Sequence, residues 1–386
     1  MPTFFIREVH GLKTKKRLDL VEFIFEFKEV PDLENIIIIG AQHILPSTLI
    51  MLESFFDRGL SPKNVFLIGK CYSTDYSTYK QLIDLGVYVC PSSLVFDKYN
   101  SFDSSYSYYI KSFVNQVFRE ISLLKNELIV AIDDGGELIS YLNNCKLEHQ
   151  TFVGLEQTTS GYQKIKLLNL NIGVVNVARS HAKLQFESKI VAKTAISEIY
   201  NKLSSGINNI KNTLIIGNGA IGNAVANALE GNFNIFISDS DPNKSNAYDK
   251  ENLPNLSEFD LIIGCVGNTV LSFDKIKQLK EGAILASLSS SDREFEIVQP
   301  RSQSTYIRSC HDDFIWKGIR VLNCGFPRNS LDVDIEEFEL TRSLLTLGIL
   351  QAIKLKFKKG LFSMCDSDQK KLIDQYLTKY SLKKMK

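Results

Sequence analysis

Residues Thr213–Leu229 read TLIIGNGAIGNAVANAL, and this stretch decides the fold. An apolar run, a turn with glycines and an Ala-rich run follow one another without a break. Gly217, Gly219 and Gly222 satisfy the spacing G-x-G-x-x-G directly after a strand and at the start of a helix. Each glycine has a physical reason. The first makes the tight turn, the second lets a pyrophosphate approach the backbone, and the third lets the helix pack on the strand. The free amides at the helix start, those of Ala220 and Ile221 among them, then hold phosphate oxygens. The next apolar run, Asn234–Ser238 (NIFIS), ends at Asp239, 22 residues after Gly217. A carboxylate there accepts hydrogen bonds from adenosine ribose hydroxyls and repels a 2′-phosphate, so NAD is expected over NADP. Asp241 lies past the strand end and ranks below Asp239.

Strand and helix patterns alternate on both sides of this stretch. Ile36–Gly40 (IIIIG), Val65–Gly69, Val87–Cys90 and Leu128–Ile132 read as buried parallel strands, with helices over Leu49–Arg58 and Tyr108–Leu124 between them. After the glycine turn come Leu261–Gly264, Ala283–Ala286 and Arg320–Leu322 as strands. A helix over Phe186–Ser204 joins the two series, and a long helix over Ile335–Lys356 closes the chain. The basic end, YLTKYSLKKMK, reads as a solvated tail. The fold class is therefore α/β with two Rossmann-like, doubly wound domains.

Bulk properties narrow the function. The 386 residues are 44% hydrophobic and 23% charged with a net charge of +1, so nothing points to nucleic acid or a membrane surface. No run of 18 or more apolar residues suggests a membrane span, and the N-terminal stretch is a poor signal peptide. Seven cysteines without a CxxC pair suggest free thiols, no structural zinc and a cytoplasmic location.

Four motifs precede or flank the glycine turn: Gln42–Leu49 (QHILPSTL), Ala131–Leu138 (AIDDGGEL), Gly154–Gly161 (GLEQTTSG) and Asn176–Ser188 (NVARSHAKLQFES). The adjacent carboxylates Asp133 and Asp134 at a strand end are expected in a cleft loop, because a core is not expected to bury both. In that order, ahead of G-x-G-x-x-G, these motifs resemble the S-adenosylhomocysteine hydrolase family, over about residues 35–350. The resemblance implies a substrate domain formed by residues 1–190 with 330–386. It also implies an NAD domain inserted at 191–329, a ligand cleft between the two, and a homo-oligomer acting on a small nucleoside substrate. Family members use NAD to oxidise a nucleoside 3′-hydroxyl, which acidifies the 4′-hydrogen and permits loss of the 5′-thiol. By resemblance His43, Asp134 and Lys183 are catalytic. His43 is a proton carrier near the 5′ position, and Lys183 takes the 3′-hydroxyl proton. Thr158, Thr159, Ser160 and Asn329 fall on cofactor contacts.

The sequence also departs from the family. Gln157 replaces a substrate-binding Glu, Glu187 replaces a substrate-binding Asp, and Ser188 replaces an Asn that contacts cofactor. Ser290 replaces a His, and the His that follows the nicotinamide Asn has no counterpart. Losing the carboxylate at Gln157 is expected to remove an acceptor for a substrate hydroxyl. Two function classes follow: an adenosylhomocysteinase-like enzyme for S-adenosylhomocysteine or a related nucleoside thioether, or an impaired NAD- or nucleoside-binding homologue with a regulatory role.

Overall fold

The computed structural model describes residues 16–121, 128–145, 151–203, 209–245, 248–249, 255–327 and 338–384. Two seven-stranded sheets carry the fold. The first is built from β1 (Ile36–Ala41), β2 (Val65–Ile68), β3 (Tyr88–Val89), β4 (Leu128–Asp133), β5 (Thr151–Glu156) and β6 (Gly173–Asn176). The second takes β7 (Asn212–Ile216), β8 (Asn234–Asp239), β9 (Tyr248–Asp249), β10 (Leu261–Gly264), β11 (Ile284–Ser287), β12 (Phe314–Trp316) and β13 (Ile319–Val321). The chain then returns to the first sheet, where β14 (Gly360–Ser363) pairs with β6 in parallel.

Strand order in the first sheet is β14-β6-β5-β4-β1-β2-β3, and in the second β12-β13-β11-β10-β7-β8-β9. The first sheet is parallel throughout; in the second only β12 runs antiparallel, against β13. Both are doubly wound. The order reverses between β1 and β4 in one sheet and between β7 and β10 in the other, and such points open crevices at the carboxyl ends of strands.

The strands are apolar on both faces because helices cover both. β1 and β4 are buried at every position. The helix Glu339–Ile353 packs on one face of the first sheet, and Phe102–Ile121 covers the other. The predicted helix over Phe186–Ser204 begins at Ser188, after one wide helical turn at Lys183–Glu187. The C-terminal end is a correction. The expected tail continues the helix Asp366–Lys384, which buried Leu372 anchors and in which Tyr376 packs on Phe186, while Leu377 stays 43% exposed.

The domains also meet away from the covalent crossings. Arg301 is fully buried beside Asp292, at 2.7 Å, and donates to the carbonyls of Lys98 (3.2 Å) and Asn100 (2.7 Å). Phe102 lies among Tyr72, Tyr106 and Phe326 in the same seam.

Candidate functional site

The two crevices open onto one cavity of about 500 Å3. His43 and Asp134 come from the loops after β1 and β4, the switch point of the first sheet. Gly217 and Val266 come from the loops after β7 and β10, the switch point of the second. Thr158, Thr159 and Ser160 line the strip between, and the Ser160 and Ser290 hydroxyls lie 3.4 Å apart across the domains.

In the second domain the glycine turn has the geometry that its spacing predicts. Gly217 has φ +99°, the left-handed region. A Cβ on Gly222 would sit 1.8 Å from the Gly217 carbonyl oxygen, so only glycine lets the helix Ala220–Leu229 seat on the turn. Around Gly219 a Cβ would meet nothing within 4 Å. That open space, beside the free amides at the start of the helix, fits a pyrophosphate. Asp239 borders the cavity and accepts from the N–H groups of Asn218 (2.6 Å) and Asp241 (2.9 Å). Burial works against its charge, but those two donors hold it below the usual carboxylate range. Its oxygens keep lone pairs for ribose hydroxyls. These residues fit an NAD adenosine and pyrophosphate.

The first domain supplies an ionic cluster. Asp134 is buried, and its carboxylate accepts from Lys70 Nζ and from Gln157 Nε2; His43 Nε2 lies at 3.2 Å. Burial would raise Asp134, yet Lys70 and His43 outweigh it and hold it well below the usual range. Lys70 also donates to the Asp134 carbonyl at 2.7 Å and stays charged despite burial. Burial lowers His43 against the pull of Asp134, so the imidazole is held toward its neutral form. Its Nδ1 contacts Ser73 Oγ.

The carboxylate pair corrects the expectation that a core would not bury both. Asp133 and Asp134 are both buried. The reason is that only one needs to be charged. Burial raises Asp133 to about 7, and it raises Glu156, its register partner on β5, well above the usual range. Protonated carboxyls are far cheaper to bury than ions. Glu156 also occupies the space that a Cβ on Gly161 would need, and its Oε1 accepts from the Thr158 N–H (2.6 Å) and hydroxyl. Thr158 in turn caps the helix Thr159–Ile165.

Lys183 and Glu187 form an ion pair one turn apart on the cavity wall, and Thr341 Oγ1 donates to the same Glu187. Gln157 is buried, and among the described residues its Oε1 has no partner. The amide thus donates to ionised Asp134, where a second carboxylate would repel it, and its buried oxygen is an acceptor without a partner among the described residues. Ser188 does not border the cavity, because its hydroxyl turns back to the Leu184 carbonyl at 3.1 Å. Gly222 acts behind the turn rather than on the wall. Asn329 lies outside the described residues.

Lys70 and Arg342 were not signalled by the motifs. Lys70 follows β2 at its carboxyl end, the place where a parallel sheet presents ligands. Arg342 is a charge inside an apolar helical run, which is rarely buried without a role.

No protein-family model matches the chain. Among curated proteins it is similar to an uncharacterized protein of Mycobacterium tuberculosis, 34% identical over 330 residues, covering 83% of this chain and 65% of that protein. The chain thus spans 65% of the length of these relatives. It is also similar to the adenosylhomocysteinase of Sulfolobus acidocaldarius, 28% identical over 191 residues and 45% of each chain. Among solved structures it is similar to the dipicolinate synthase polypeptide of Bacillus halodurans, at 11% identity over 83% of this chain and 98% of that one, TM-score 0.45. NAD+-bound 3-phosphoglycerate dehydrogenase of Entamoeba histolytica gives 12% over 80% and 92%, TM-score 0.39.

Among the described residues no helix is long and apolar enough to cross a membrane.

Proposed function

We propose that the chain is an NAD-dependent enzyme of the adenosylhomocysteinase type, acting on S-adenosylhomocysteine or a related nucleoside thioether. One observation carries this reading: the glycine turn with Asp239 and the His43, Asp134 and Lys183 group border the same cavity. Bound NAD would take a hydride from the 3′ carbon of the nucleoside and return it at the end of the cycle. Lys183, oriented by its ion pair with Glu187, would serve as the base at the 3′-hydroxyl once its ammonium has passed a proton to solvent; the neutral amine then takes the hydroxyl proton and returns it at the end of the cycle. Neutral His43 beside ionised Asp134 suits proton transfer at the 5′ side, since imidazole near neutrality is an efficient acid and base. Lys70 keeps Asp134 charged through the cycle. Gln157 Oε1 is free to accept from a substrate hydroxyl.

The test is spectroscopic. NAD-loaded protein is mixed with adenosine and with S-adenosylhomocysteine, and absorbance at about 340 nm is followed as the signature of reduced nicotinamide. A rise supports the enzyme reading. An unchanged spectrum with both ligands, NAD being bound, supports the regulatory homologue. The proposal includes a homo-oligomer, checked by sedimentation, and a cytoplasmic location, which suits free cysteines.

A further inference from the structure

Arg342 is the lone charge in the run Leu340–Leu350, one turn into the helix Glu339–Ile353. Its side chain is fully buried, and it forms part of the cavity wall near His43 and Thr341. Nε donates to Ser47 Oγ at 3.0 Å. Among the described residues Nη1 and Nη2 have no acceptor. A guanidinium has five N–H donors in a fixed fork, so one is used and four are idle. Its Cζ also lies 5.7 Å from the centre of the Phe338 ring, a contact that leaves those four donors unbonded; burial lowers the Arg342 pKa to about 10, against the opposing pull of Asp134 and Glu187.

The nearby carboxylates do not take these donors. Asp134 is engaged by Lys70, His43 and Gln157, and Glu187 by Lys183 and Thr341. Among the described residues, the cations at this end of the cavity outnumber the carboxylates. Arg179, Lys183 and Arg342 on the wall and Lys70 behind it face Asp134 and Glu187, with Asp239 at the far, glycine-turn end. A planar fork with idle donors in a positive, water-poor wall is matched by a planar or tetrahedral oxyanion.

We infer that Arg342 docks an anionic substituent, a carboxylate or a phosphate, on the ligand that fills the substrate end of the cavity. The inference rests on the preceding reading only in taking this cavity as the substrate site. The anion replaces the missing acceptors on Nη1 and Nη2, and selects ligands that carry it over neutral ones of the same shape.

Calorimetric titration of the full chain with adenosine, adenosine 5′-monophosphate and the 5′-carboxylic acid of adenosine tests this, at matched ionic strength. An anionic nucleoside should bind at least about tenfold more tightly than adenosine, and the preferred anion names the source. Arg342→Met should remove that advantage. Without ligand, Arg342→Met should also unfold at an equal or higher temperature, because it removes a buried ion with four unbonded N–H donors; a lower midpoint would mean that Arg342 is a structural support and would overturn the inference. Thermal shifts with inorganic phosphate and acetate, against sodium chloride, separate the two readings. If either anion stabilises the natural chain but not Arg342→Met while no nucleoside changes the nicotinamide spectrum, the docking role stands and the nucleoside reading falls. If nucleosides reduce the cofactor but no anion distinguishes the two chains, the docking role falls. Anion preference that survives in Arg342→Met also overturns it.

Discussion

Two single-methyl substitutions in the glycine turn should fail in opposite ways. In Gly222→Ala the new Cβ lies 1.8 Å from the Gly217 carbonyl oxygen and 2.9 Å from its carbonyl carbon. Ordinary contact begins near 3.4 Å, so the helix Ala220–Leu229 must move away by about 1.6 Å. Both obstructing atoms are backbone, so no rotamer change relieves the clash, and the cost is about 1–3 kcal/mol of domain stability. The helix amides move with it, and NAD binding is lost as well. In Gly219→Ala the Cβ meets nothing within 4 Å, and the backbone angles (φ −77°, ψ −165°) are open to alanine. Stability should be unchanged or higher by about 0.4–1 kcal/mol, since alanine has less unfolded-state entropy to lose. The methyl instead occupies the approach path of the pyrophosphate, and affinity should fall at least tenfold, about 1.4 kcal/mol. Denaturation of the cofactor-free chains and calorimetric NAD titration read the two effects separately. A Gly219→Ala chain that keeps full NAD affinity would refute the placing of the pyrophosphate, and a Gly222→Ala chain with unchanged stability would refute the seating argument.

Other outcomes follow from the same geometry. Lys183→Ala should abolish turnover with NAD affinity within about threefold of the natural chain, since Lys183 and the glycine turn lie on different walls; full activity in an assay of thioether cleavage would remove its role. Asp239→Arg should shift preference from NAD toward NADP, read as the ratio of the two dissociation constants. Asp133 is raised to about 7, so the folded chain keeps a proton that the unfolded chain has already released at lower pH. Its contribution to stability is therefore full below the ordinary carboxylate range and is lost as pH rises through about 7. The stability of the natural chain relative to Asp133→Asn should fall by up to about 1.4 kcal/mol per pH unit between pH 5 and 7 in urea titrations, and a flat difference would contradict a protonated Asp133.

Much of the architecture was legible because it is written in local signals. IIIIG and VFLIG are apolar at every position, as strands covered on both faces must be, and the helix Ala220–Leu229 starts where the glycine spacing puts it. The site was legible where a motif tied residue type to backbone form, as at Gly217 and Asp239. What escaped depends on distant partners. Nothing near Asp133 in the chain announces that Glu156 will sit opposite it and that both will be raised by burial. Lys70 becomes part of the site only because β2 lies beside β1, two strands from β4. The C-terminal helix looked like a solvated tail because its charges dominate its composition. Its fixing contacts, Lys379 with Glu339 at 2.7 Å and Tyr376 on Phe186, reach across the chain.

The buried Arg301 gives the molecule a spine. Two of its hydrogen bonds reach across to the carbonyls of Lys98 and Asn100, and two, to Asp292 and the Cys324 carbonyl, fix it within its own domain. Parting the halves along that edge would strip a guanidinium of acceptors on one flank and expose the aromatic seam around Phe102. Between Ser160 and Ser290 themselves the contact is a weak hydroxyl pair 3.4 Å apart, while Arg293 pairs with Asp103 at 2.8 Å nearer the seam. The two halves are thus bound like a book along its spine, with the guanidinium and the aromatic seam on the bound side and the lighter Ser160–Ser290 contact beside the cavity.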